Sequence, residues 1–190
     1  MVRHGSTEWS KLGRHTGRTD IALDADGRRA AAALAPVLSV RDYALVLTSP
    51  LPRARDTAAL AGFGDAQVDD DLLEWDYGEY EGRTTVDIRS VRPDWSLWTD
   101  GTPGGEDAAA VGRRADRVIR RARAAGGDVL LFAHGHVLRV LAARWIELPP
   151  SGGERFALDP ARPSVLGYER EVAVVREWNA RPRDVDQASA

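Results

Sequence analysis

The chain contains no cysteine, which excludes a disulfide framework, a thiolate metal site and a thiol nucleophile. Lysine is nearly absent as well: Lys11 is the only one, and the other basic side chains are arginines. We read this as the codon bias of a GC-rich genome rather than as function. No apolar run approaches the ~20 residues a membrane span needs, and no signal-peptide pattern precedes Arg3. The expectation is a cytoplasmic protein with no membrane partner. Net charge is slight, −3 at pH 7, so no basic field is available for nucleic acid, although a local pocket of arginines can still attract a phosphorylated metabolite.

What is present suits one α/β domain. At 190 residues the chain is long enough to bury roughly 70% of its unfolded surface; residues 1–180 read as a single domain and 181–190 as a frayed polar tail. Ala44 to Thr48 and Asp128 to Ala133 are short apolar runs of the buried parallel-strand type. Helices are expected over Asp24 to Val40, Leu51 to Leu60, Thr84 to Val91, a stretch introduced by Gly104-Gly105-Glu106-Asp107 and ending near Ala125, and His136 to Trp145. The arginines of the long helix, Arg113 to Arg123, are expected to form a solvated face. Arg155 to Leu158, Ser164 to Arg170 and Val172 to Trp178 are expected to complete the sheet. Strands alternating with helices predict a three-layer α/β/α sandwich around a mostly parallel central sheet. Only Met1 and Val2 precede Arg3, so either the first strand is short or the numbered chain begins late.

Chemistry enters at Arg3-His4-Gly5. A histidine at a strand end, with arginine beside it and glycine freeing the backbone, is a candidate nucleophile for phosphoryl groups. Three further blocks follow: Ser49-Pro50-Leu51-Pro52-Arg53, Leu72 to Gly82 with its Glu74-Trp75-Asp76-Tyr77-Gly78 core, and Ala133-His134-Gly135-His136. Arg3-His4, Ser49 to Arg53 and His134-Gly135 all fall at carboxyl ends of predicted strands, where open α/β sheets bind ligands.

With these four blocks in this order, the chain resembles the histidine phosphatase superfamily, in its phosphoglycerate-mutase-like branch, from Arg3 to about Arg144. Within it the blocks are most similar to those of small bacterial acid phosphatases and fungal sedoheptulose-1,7-bisphosphatase. The resemblance implies a phosphomonoesterase that works through a phosphohistidine on small phosphorylated metabolites, such as sugar phosphates or bisphosphates, without metal or cofactor. It implies His4 as nucleophile, Arg3, Arg53 and His134 as donors to the transferring oxygens, and Glu74 as the acid that protonates the leaving alcohol, its proton held by burial against Trp75 and Tyr77. It further implies Ser10, Thr16, Gly17, Tyr77, Gly135 and His136 as substrate contacts. Ser10 and His136 stand where the mutases carry asparagine, which argues against mutase specificity. Homodimers occur in the family, but oligomeric state is not legible here.

Alternatives stay open at this level. Glu79 or Glu81 could take the acid's part. A cofactor-dependent phosphoglycerate mutase would use the same histidine chemistry, and an inactive phospho-ligand binding module would use the same pocket. A metal hydrolase built on His4, His15, His134 and His136 would need a ligand signature that the chain lacks. His15 itself reads as an exposed loop histidine, and Trp95 and Trp98 as core residues or walls of the pocket mouth.

Overall fold

The computed structural model describes residues 1–181. In chain order the elements are β1 (Val2–Arg3), α1 (Glu8–Lys11), α2 (Ala25–Ala32), α3 (Ala35–Leu38), β2 (Leu45–Thr48), α4 (Pro52–Leu60), β3 (Gln67–Val68), α5 (Thr85–Arg89), α6 (Leu97–Asp100), α7 (Ala108–Ala124), β4 (Val129–Ala133), α8 (Gly135–Trp145), β5 (Val165–Glu169) and β6 (Val172–Glu177). The central sheet has the order β1-β4-β2-β3, and every pairing in it is parallel.

Both faces of this sheet are covered, as a parallel sheet requires. Successive side chains of a strand point to opposite faces, and β4 shows the consequence. Leu131 and Ala133 pack with Val111, Val118 and Leu138 of α7 and α8. Leu130 and Phe132 pack with Leu34, Leu38 and Ala58 on the α2–α4 side. Each such fully buried aliphatic or phenyl side chain contributes roughly 1.5–3 kcal/mol, so a polar substitution anywhere in β4 breaks one of the two cores. The result is the expected three-layer α/β/α sandwich.

Several elements differ from expectation. The helix read over Asp24 to Val40 is two helices, because Pro36, lacking an N–H, begins a new helix rather than continuing the old one. The C-terminal strands do not join the central sheet: β5 and β6 form their own antiparallel hairpin, tied to β1 by a single bridge between Val2 and Pro163. Arg155 to Leu158 is not a strand: Arg155 ends a 3₁₀ segment at Pro150–Arg155, and 156–158 form no regular element. The tail expected to fray lies, beyond Arg181, outside the described residues. No helix among the described residues is long and apolar enough to cross a membrane.

Candidate active site

Three strands deliver the motif residues to one end of the sheet. Beyond β1, the His4 N–H extends the ladder by donating to the Ala133 carbonyl at 2.9 Å, and the chain then turns away at Gly5. A Cβ on Gly5 would lie 2.4 Å from the Gly27 carbonyl oxygen, so the turn needs glycine to let the loop backbone rest on α2. The Gly5 N–H is held by the Thr57 hydroxyl at 3.0 Å. After β2, Ser49 leads into α4, which starts on Pro52 and carries Arg53 in its first turn. After β4, His134 caps α8 with no side-chain cap of its own.

Glu74 supplies that missing cap from another part of the chain. Its Oε2 accepts the His136 N–H at 3.0 Å, and its Oε1 accepts the Val137 and Trp75 N–H groups, each at 2.9 Å. A buried carboxylate thus faces the positive end of α8. Arg114, on α7, fixes the segment behind it by donating to the Asp71 and Leu73 carbonyls and pairing with Glu106. Both Glu74 lone-pair directions on Oε1 are taken; Oε2 retains one, the place where a proton can be carried.

His4 is 4% exposed. Its Nδ1 lies 2.7 Å from the Gly5 carbonyl oxygen, which can only accept, so Nδ1 bears the hydrogen and Nε2 is left with its lone pair. Burial, reinforced by the charges of Arg3 and Arg53, holds the ring well below the ordinary histidine range. Arg3 donates to the Leu158 carbonyl through Nη1, while its buried Nε has no partner among the described residues. The Arg3 guanidinium and the unprotonated His4 ring border one cavity, an arrangement suited to an anion.

His134 lies with its ring centroid 5.1 Å from that of His4. Its Nδ1 accepts from Arg53 Nε at 3.2 Å, so Nε2 carries the hydrogen and donates to the Ser49 hydroxyl at 2.7 Å. Arg53, with no exposed surface, also donates to the carbonyls of Thr16, Gly17 and Thr19 at 2.7–3.0 Å. Of its five N–H donors one Nη1 hydrogen remains uncommitted.

A cavity of about 200 Å³ opens in front of His4, Arg3 and Glu74, smaller than ligand pockets of roughly 300–1,000 Å³. A larger one of about 440 Å³, lined by Met1, Val129, Leu141 and Leu166, lies at the opposite, amino ends of the strands. It is largely apolar and touches no motif residue, whereas the motif residues gather at the smaller cavity.

The chain matches the histidine phosphatase superfamily (branch 1) over residues 1–181. It belongs to that superfamily. It is 43% identical over 182 residues to an acid phosphatase of Mycobacterium tuberculosis, covering 92% of this chain and 90% of that one. It is 36% identical over 181 residues to sedoheptulose 1,7-bisphosphatase of Saccharomyces cerevisiae, covering 78% and 67%. A solved structure of an open reading frame product from Mycobacterium tuberculosis superposes with a TM-score of 0.91 at 41% identity, covering 96% of each chain. The chain is a phosphatase of the histidine phosphatase type.

Of the residues expected in the site of this histidine phosphatase, Arg3, His4, Ser10, Thr16, Glu74, Tyr77, Gly135 and His136 border the cavity; Arg53, His134 and Gly17 lie behind it. Gly17 has its N–H on Glu81 and its carbonyl on Arg53. The Ser10 hydroxyl donates to the Thr7 carbonyl and accepts the Thr7 N–H, completing the capping box of α1. Glu81, weighed as an alternative acid, has both oxygens on the Gly17 and Thr19 N–H groups, and Glu79 does not reach the cavity. Trp95 and Trp98 are buried behind the wall, Trp98 with its ring 5.4 Å from His136.

Arg14, Thr85 and Arg139 border the cavity without having been singled out in the sequence, and His15 and Arg114 escaped the sequence reading as well. His15 is not an exposed loop histidine: it is 8% exposed and borders the cavity. Arg114 was one arginine among several on a helix taken as solvated. Its partners, with those of Arg117 and Arg121, are Asp69, Asp71 and Glu106, so that face docks the segment bearing Glu74.

Proposed function

We propose that this enzyme is a metal-independent phosphomonoesterase acting through a phosphohistidine on small phosphorylated metabolites. The observation that carries the reading is the fixed tautomer of His4, with Nδ1–H on the Gly5 carbonyl and the Nε2 lone pair free, in a cavity that Arg3 also borders. In this reading Nε2 attacks phosphorus, the ester P–O bond breaks, and the Arg3 fork takes the charge on the equatorial oxygens. Glu74 gives a proton from Oε2 to the departing alcohol oxygen, then takes one from the water that cleaves the N–P bond and returns His4 to its starting state. Arg53 and His134 support this from behind: Arg53 Nε holds the His134 ring beside His4. The cavity's small size and polar lining support a small phosphorylated substrate, and phosphorylated sugars fit the names of the relatives.

The test is a rapid alkaline quench of enzyme mixed with ³²P-labelled phosphoester in excess EDTA. Label recovered on His4, together with a loss in His4→Ala of at least ~10³-fold, is the expected result for removal of a covalent nucleophile. Turnover near wild type in His4→Ala, or activity abolished by EDTA and restored by a divalent metal, overturns it.

A further inference from the structure

His15 borders the cavity but takes no part in the proposed reaction. Its backbone is held on both sides, the N–H on the Arg83 carbonyl at 2.9 Å and its carbonyl on the Gly82 N–H at 2.8 Å. The ring is fixed too. Nδ1 lies 2.8 Å from the same Arg83 carbonyl oxygen, which only accepts, so Nδ1 carries the hydrogen and Nε2 is an acceptor while the ring is neutral. Burial favours the neutral ring, lowering its titration from the ordinary range. No donor among the described residues reaches Nε2.

The location of the ring says which part of a substrate it would meet. The aromatic neighbour of His4 is His134, 5.1 Å away; those of His15 are Tyr77 at 4.8 Å, Trp95 at 5.7 Å and His136 at 6.3 Å. The two histidines therefore border one cavity with different neighbours, and Glu74, bonded to the His136 N–H, borders it too. A phosphoryl group held at His4 and Arg3, with its ester oxygen met by Glu74, would leave its alcohol portion in the rest of this cavity, which His15 borders.

We propose that His15 is a specificity residue, its Nε2 accepting a hydrogen bond from a hydroxyl on the alcohol portion of the ester, so that the enzyme favours phosphoesters of polyhydroxylated, sugar-like alcohols. The inference rests on the phosphatase reading and narrows its substrate class. A hydroxyl both donates and accepts. It can give its hydrogen to His15 while taking one from Arg14 or Arg139, which border the same cavity. A plain alkyl chain offers nothing to that lone pair, and a carboxylate only a second acceptor.

The experiment compares kcat/KM for phosphate release from glycerol 3-phosphate and from propyl phosphate, which share a three-carbon chain and differ in the hydroxyls. Wild type is expected to prefer glycerol 3-phosphate by about tenfold or more, the scale of one well-made hydrogen bond. In His15→Phe, which keeps a flat ring without the lone pair, the preference should fall by about the same factor, and His15→Gln, whose amide oxygen can accept, should restore much of it. A preference equally strong in wild type and His15→Phe overturns the proposal. So does a wild type that hydrolyses both esters equally, a result that does not depend on any variant folding. A wild type that releases phosphate from no monoester overturns the phosphatase reading, and this inference with it.

Discussion

Arg53 and Glu81 grip one loop from its two sides. The Arg53 guanidinium donates to the carbonyls of Thr16, Gly17 and Thr19, and the Glu81 carboxylate accepts the N–H groups of Gly17 and Thr19. The Thr16–Gly17 peptide is held by both, its carbonyl by Arg53 and its N–H by Glu81, so each residue helps to orient the other. The loop has no room for adjustment at its centre, since a Cβ on Gly17 would lie 2.8 Å from the Trp75 carbonyl oxygen.

Removing Glu81 should therefore be felt at His134, which takes its orientation from Arg53 Nε. Glu81→Ala leaves two backbone donors without their partner and should cost about 1–3 kcal/mol of stability, with kcat reduced about tenfold or more and KM changed less. Urea unfolding and steady-state phosphate release measure the two effects. Glu81→Gln, retaining one acceptor oxygen, should recover part of both. A Glu81→Ala protein as stable and active as wild type would show that Arg53 holds the loop unaided.

Glu74 invites a different comparison. Because Oε2 receives the His136 N–H and Oε1 two others, Glu74→Gln must turn an amide N–H₂ toward a backbone donor. Some loss is then structural and strikes every substrate alike. Loss of the proton is not so even-handed: an alkyl phosphate needs its leaving oxygen protonated, whereas p-nitrophenolate departs without help. The alkyl ester should lose roughly 10²–10⁴-fold, the range of general acid catalysis, and p-nitrophenyl phosphate markedly less. An identical loss on both would remove Glu74 from the proton-transfer role.

How much of this could be read from the sequence varies by element. The strands β2 and β4 were legible because their apolar runs have no other home than a sheet covered on both faces. With their ends came the positions of Arg53 and His134. The edge strand β3 was not, since Gln67 and Val68 are both exposed and carry no apolar signal. The single turn of α6 was not either. For β5 and β6 the strand character was visible but the partner was not, because alternation says which face is buried and nothing about which neighbour completes the ladder. His15 failed for a related reason. What buries it is Tyr77, Trp95 and the Arg83 carbonyl, all more than 60 positions along the chain, and no local pattern around Gly13 to Gly17 announces them.

Acid should destabilise the fold in a specific window. All four histidines, His4, His15, His134 and His136, are held below the ordinary range, in each case chiefly by burial. The unfolded chain takes up protons near pH 6.5 while the folded one resists, so the unfolded state binds more protons and stability rises with pH there. The contribution is complete above about pH 6.5 and is lost as pH falls toward the lowered folded values, each histidine adding up to about 1.4 kcal/mol per pH unit. Denaturant midpoints measured from pH 6.5 down to pH 5 should fall steeply. A flat profile throughout would mean that these rings protonate freely in the folded protein. The unprotonated His4 should meanwhile keep kcat/KM from falling until well below pH 6.5.

The last prediction separates phosphatase from mutase. A mutase must keep its phosphoenzyme dry long enough to hand the phosphoryl group to a second hydroxyl, which requires a cover that excludes water. In this chain 60 positions separate Glu74 from His134, and the stretch available for such a cover is already committed elsewhere. Within it Ile88, Trp95, Leu97 and Trp98 are buried in the core, the Trp95 indole N–H is held by the Gly101 carbonyl at 2.9 Å, and Pro103 to Glu106 is bonded to the Asp76–Glu79 segment. Freeing these residues to close over His4 would expose large aromatic surfaces, each worth several times the thermal energy. Water should accordingly reach the phosphohistidine, and inorganic phosphate should be the dominant product. Incubation with 3-phosphoglycerate and catalytic 2,3-bisphosphoglycerate, followed by separate assays of phosphate and of 2-phosphoglycerate, decides the matter. Rapid interconversion with little phosphate released would make the enzyme a mutase while leaving the chemistry of His4 intact.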